Sequence, residues 1–332
     1  MKVKKSTTYA NMAALLMIPT VKVAAHAFVN AKMPSLLQDE AYFNISEDDF
    51  CTMLFTVAFA GQAVSVALTP IYGLLYDIVG RFPMIMFGLF GIAVLVILLP
   101  FTAPNFALLV IVRTMISVLM RMLLVKPLLI DYLKNGSRGL GLMLDAFGFA
   151  TGEMLMGIIY LYTSALDITL KFLIAGFLLA LASIGVIYLV REPKVKEEIE
   201  QPDGSEKVWL ASEYREQTPY WTQVKELLHA TWVEATTKPK YIYAACGLMV
   251  SRLMNIIFQT YVYVWMKKDF VVETDVISSF EQLDKNYFWF MMVMQLGTIV
   301  CVPIYGYWAD TIDLRIPIPI AFFCRSIVCF SF

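Results

Sequence analysis

The bilayer interior offers no water to backbone N–H and C=O groups, so a segment that crosses it must satisfy them within itself. A helix does so with roughly 20 mostly apolar residues. Nine runs in the 332 residues reach or approach that length, near 9–30, 51–72, 83–101, 106–131, 140–162, 170–190, 241–266, 287–308 and 316–332. The chain is 59% hydrophobic and 16% charged, where a soluble domain carries about 25% charged residues. An all-α integral membrane protein is expected, with several passes through the bilayer.

Charge at the flanks sets the expected orientation. Lys2, Lys4 and Lys5 precede the first run, whereas Asp39, Glu40, Glu47, Asp48 and Asp49 follow it. An amino terminus in the cytoplasm is therefore expected. Residues 1–190 form a six-helix bundle on this reading, 191–240 a cytoplasmic linker, and 241–332 a partial second bundle of about three helices. Within the linker, Thr218-Pro219 reads as a helix start. Trp221, Val224, Leu228 and Trp232 then make an apolar stripe expected to pack on the inner surface or the bundle.

One short stretch occurs twice. Pro70-Ile71-Tyr72-Gly73-Leu74-Leu75-Tyr76-Asp77 recurs as Pro303-Ile304-Tyr305-Gly306-Tyr307-Trp308-Ala309-Asp310, each time at the end of an apolar run. Sliding one copy onto the other places Gln62 on Gln295, Lys22 on Asn255 and His26 on Gln259. Polar positions inside spans thus coincide, as internal repeats around a midplane site require. Glycines at the turn allow a sharp reversal, and an Asp and an Arg there can pair as a releasable latch.

The first copy, continued through Gly80-Arg81-Phe82-Pro83-Met84-Ile85, resembles the loop signature G-x-L-A-D-R-x-G-R-[RK]-x-x-[LI] of the major facilitator superfamily. Gly73, Leu75, Asp77, Gly80, Arg81 and Ile85 match, and Gly306 and Asp310 repeat two of them. The resemblance implies two six-helix bundles that rock about a central site. It also implies twelve spans, of which this chain holds nine and ends inside the last, as a fragment or as a shortened product. The family often has Arg in the fourth helix followed by Gln and Gly at the third and fourth positions after it. Arg113 is followed there by Ile116 and Ser117. In the fifth helix Gly148-x-x-x-Gly152 resembles the family's antiporter motif, with Glu153 where proline is expected. Close helix packing is the simpler account of those glycines.

Charges inside the spans are Lys22, Arg113, Arg121, Lys126, Glu153, Arg252 and Arg325. An unpaired charge at mid-depth costs about 2.5–3.5 kcal/mol, so these side chains should be paired or face a wet cavity. Lys22 and His26 share one helix face. With Arg121 and Arg252 they are expected to hold an anionic group, and Gln62, Gln259 and Gln295 complete the proposed solute site. The alternative is that Lys22 snorkels and His26 is a satisfied polar residue. Glu153 is the one carboxylate well inside a span. Leaving water disfavours its ionised form, which makes it the candidate for proton coupling; a fixed ion pair with Arg121 or Lys22 is the alternative.

The five cysteines show no metal-ligand spacing and read as small core residues. Neither a catalytic cluster, a metal site nor a cofactor loop is found, and no basic tract suggests nucleic acid. The expected partners are a small-molecule solute and the lipid bilayer; the residues identify no protein partner. The expected function is secondary transport of a small organic or inorganic anion, driven by protons. A non-transporting subunit or receptor on the same fold is the rival, favoured by Asp313 and Leu314 where Gly80 and Arg81 stand in the first copy.

Overall fold

A computed structural model of the chain describes residues 8–123, 125–133, 138–163, 166–190, 220–238 and 276–311. Among the described residues the elements are helices: α1 (Tyr9–Gln38), α2 (Glu47–Ala67), α3 (Thr69–Ile78), α4 (Arg81–Leu98), α5 (Phe106–Met122), α6 (Val125–Tyr132), α7 (Arg138–Tyr162), α8 (Ile168–Leu189), α9 (Tyr220–Thr237) and α10 (Val276–Thr311). Among the described residues five helices are long and apolar enough to cross a membrane, starting with Tyr9–Gln38 and ending with Ile168–Leu189. The expected spans at 241–266 and 316–332, and the Thr218-Pro219 start, lie outside the described residues.

The chain divides into two compact units. One is built from Met1–Glu192 with Glu281–Phe332, the other from Pro193–Phe280. In the second, α9 forms where the amphipathic stripe is expected. Trp221 and Trp232 stand 77% and 70% exposed, so these two rings do not pack inward.

In the first unit, α1 is the hub. It lies along α7 most extensively and also touches α8, α6, α4 and α2. Small residues make this possible. A Cβ at Gly148 would strike the Leu16 carbonyl oxygen and the Pro19 ring, and one at Gly152 would strike the Thr20 carbonyl oxygen. The two helix backbones therefore touch directly, the arrangement that small residues one turn apart permit in lipid. Thr20 Oγ1 and Thr151 Oγ1, 3.1 Å apart, add a polar link across the same seam. Gly148-x-x-x-Gly152 is a packing device.

Bulky apolar side chains point outward around this seam, Phe87, Phe101 and Phe177 among them, while Arg113, Glu153, Ser183 and Gln295 are buried. Such an inside-out distribution suits lipid. Cys51 and Cys301, expected in the core, are exposed instead, because an apolar surrounding provides no reason to bury a thiol on a lipid-facing helix.

Two expected spans are differently cut. The run 106–131 breaks between α5 and α6. Pro127 has no N–H to offer the carbonyl four residues back, that of Leu123, where α5 ends. The run 51–72 is interrupted at Leu68, with Pro70 in the first turn of α3. Between α3 and α4 the chain reverses at Gly80, whose φ of 97° lies in the region where glycine alone is unstrained.

Replacing Gly152 with Leu should push α7 off α1. We expect a destabilisation of about 1–3 kcal/mol, seen as a lower midpoint in thermal unfolding of the purified protein. An unchanged midpoint would mean that the seam is not closely packed.

Candidate functional site

Among the described residues of the first unit, three clusters of polar side chains bear on function, each made by helices distant in sequence. The first is at the carboxyl end of α5. Its last carbonyls have no intrahelical donor once Pro127 interrupts the helix. Lys22 Nζ of α1 donates to the Leu123 carbonyl at 3.1 Å, and the Tyr76 hydroxyl of α3 donates to the Met122 carbonyl. A cation at a helix carboxyl end also meets the favourable end of the dipole. Two residues before Leu123, Arg121 Nη2 donates to Gln62 Oε1 of α2 at 3.1 Å. Lys22 and the Arg121–Gln62 pair thus both lie at the last residues of α5.

The second cluster joins α1 to α5. Arg113, buried, donates from Nη2 to Asn30 Oδ1 at 2.6 Å and from Nη1 to Ser117 Oγ at 3.0 Å. The Asn30 amide nitrogen lies 3.2 Å from His26 Nδ1. His26 therefore belongs to this chain of partners, with Asn30 between it and the guanidinium. Both of these acceptors, Asn30 and Ser117, are neutral. Ser117 occupies the position that glycine holds in the family's pattern, and Gly61 of α2 packs against its hydroxyl.

The third cluster links α7 to α10. Glu153 is buried and accepts from Gln295 Nε2, while Gln295 Oε1 is buried without a partner among the described residues. Glu153 makes neither alternative ion pair, with Arg121 or with Lys22, among the described residues. Gly157 lets Phe288 of α10 approach α7 on the same side.

The remaining expectations divide in two. Gly73, Asp77 and Gly306, Asp310 fall within α3 and α10 respectively, and Gly80 makes the turn before Arg81. The pairing expected of Asp77, and the residues Arg252 and Gln259, lie outside the described residues. No group of three or more His, Cys, Asp or Glu suited to a metal ion occurs among the described residues.

Sequence reasoning missed Asn30, Tyr72, Tyr76 and Ser117 as polar members of these clusters. The first had a readable signal: Lys22, His26 and Asn30 repeat every four residues and so share one face of α1. The tyrosines had the same four-residue spacing but resembled interface aromatics.

The model of the Major Facilitator Superfamily matches residues 9–332. The chain belongs to this superfamily. No curated protein matches the chain. Membership makes it a multi-pass membrane protein of a family of secondary transporters that move small solutes.

Lys22→Met should leave the Leu123 carbonyl without its side-chain donor and cost about 1–3 kcal/mol. Adding Pro127→Ala supplies a backbone N–H to the same carbonyl, so the double variant should recover much of the loss. Thermal unfolding of the four proteins of this cycle measures the coupling; simple additivity would contradict the cap.

Proposed function

We propose that this superfamily member transports a small organic or inorganic anion by alternating access, coupled to protons. The observation that carries the reading is the convergence of Lys22, Arg121 and Gln62 at the carboxyl end of α5. Two cations from different helices meet there. Arginine offers a fork of donors to an oxyanion and lysine a point charge. Lys22 donates to a backbone carbonyl and Arg121 to an amide oxygen, and an anion is a better acceptor than either.

Residues 1–190 then serve as one rocking half and 241–332 as part of the other, with 191–240 as the cytoplasmic link and the amino terminus on the same side. Arg252 and Gln259 enter the site from the second half by their repeat-related positions, and His26 and Gln295 border it. Asp77 near the end of α3 and Arg81 at the start of α4 act as the latch across the reversal at Gly80, with Gly73 one turn before Asp77.

Glu153 is the proposed proton carrier. Gln295 donates to it, so the ionised carboxylate gains a hydrogen bond on leaving water. A proton removes the charge and weakens that bond, loosening α7 from α10. Proton uptake would in this way be tied to helix motion.

Uptake of labelled inorganic phosphate and succinate into proteoliposomes tests both parts. Arg121→Gln should lower uptake at least about tenfold, since a charge-assisted bond is worth about 1.5–3 kcal/mol. Glu153→Gln should abolish accumulation driven by a pH gradient while sparing exchange of internal for external solute. Unchanged uptake by Arg121→Gln would remove the anion reading, and unchanged gradient-driven accumulation by Glu153→Gln would remove the coupling.

A further inference from the structure

Tyr72 is only 3% exposed, yet its hydroxyl has no hydrogen-bond partner among the described residues. A buried hydroxyl without a partner loses its water and gains nothing for it. Native structures leave few such groups, and each calls for a reason. The neighbourhood supplies one. Tyr76, one turn further along α3 and on the same face, is anchored on the Met122 carbonyl at the end of α5. That anchor turns the tyrosine face of α3 toward α5, a helix it packs against. Arg121 is the residue before Met122 on α5. One nitrogen of the guanidinium donates to Gln62 Oε1.

We propose that Tyr72 is a solute-binding residue, whose hydroxyl donates to one oxygen of an oxyanion while Arg121 holds another. The inference rests on the anion reading given above and adds to it a residue and a demand on the solute. The solute must present two acceptor oxygens, as carboxylates and phosphates do, so that a guanidinium and a phenol from different helices can hold it together. A halide, a single sphere of charge, would satisfy one donor set only. The tyrosine then acts on specificity: its bond forms only with a solute large enough to reach from α5 to α3.

The variant Tyr72→Phe removes the hydroxyl and keeps the ring, so it separates binding from packing. Thermal unfolding of the purified full chain is to be measured with graded sodium phosphate, acetate and succinate, for the native protein, Tyr72→Phe and Arg121→Gln. At least one of these anions should raise the midpoint of the native protein. Tyr72→Phe should unfold at the same or a higher temperature without anion, and should need about tenfold more anion for an equal rise, the loss of one neutral hydrogen bond. If Tyr72→Phe responds at the same anion concentrations as the native protein while Arg121→Gln needs more, the inference fails and the anion reading stands. If none of the three anions moves the native midpoint, the anion reading itself fails and takes the role of Tyr72 with it. A clearly lowered midpoint of Tyr72→Phe without anion would show that the hydroxyl already has a protein partner, and would also overturn the inference.

Discussion

A polar group inside hydrocarbon has to find its partner within the protein, and most of what distinguishes this bundle follows from that demand. Water outside a soluble protein would satisfy the Leu123 carbonyl that Pro127 releases; in lipid the donor has to come from another helix. Lys22 supplies it, and in doing so ties α1 to the fourth span at the point where that span is broken. The same demand sets Gln62 against Arg121 and Gln295 against Glu153. Polar contacts therefore fall between helices distant in the chain.

The duplicated glutamines show how one inherited position serves two purposes. Gln62 and Gln295 occupy equivalent places in the repeat, yet one accepts from a cation and the other donates to a carboxylate. An amide carries both a carbonyl and an NH₂ group, so it can meet either charge without changing residue type. Divergence of the two halves then needs only a change in the neighbour. The seam between α1 and α7 provides the contrasting, apolar element: Gly148 and Gly152 bring two backbones into contact and leave no room for adjustment. Rigid contact on one face of α1 and exchangeable polar contacts on the other give the hub helix both an anchor and a set of movable bonds.

Much of the helical framework was legible because each span announces itself by length and composition, independent of its neighbours. The turn at Gly80 was legible for a similar reason: a tight reversal needs positive φ, and the glycine was in the right place. The break at Leu123 was not read, although Pro127 was in view, because an apolar run hides a proline whose cost depends on which donors stand nearby. Of the site, Lys22, Gln62 and Arg121 were legible as costly residues in lipid. Their meeting point was not, since the partner atoms are backbone carbonyls and an amide, which leave no charge pattern to find. Ser117 illustrates the limit: nothing in the sequence distinguishes a serine that accepts from a buried guanidinium from one that turns back on its own helix.

By itself the amino-acid order determined that this chain lives in a bilayer, that it is helical, that its second half echoes its first, and that several charges must be sheltered. Those properties depend on local periodicity and on transfer from water to lipid, which act on each segment separately. The tertiary structure alone decided which polar groups meet: His26 with Asn30 and Arg113, Lys22 with the broken end of α5, Glu153 with Gln295. Pairings of this kind are set by how helices far apart in the chain approach and rotate, and the spacing of residues within one helix carries no record of its neighbour.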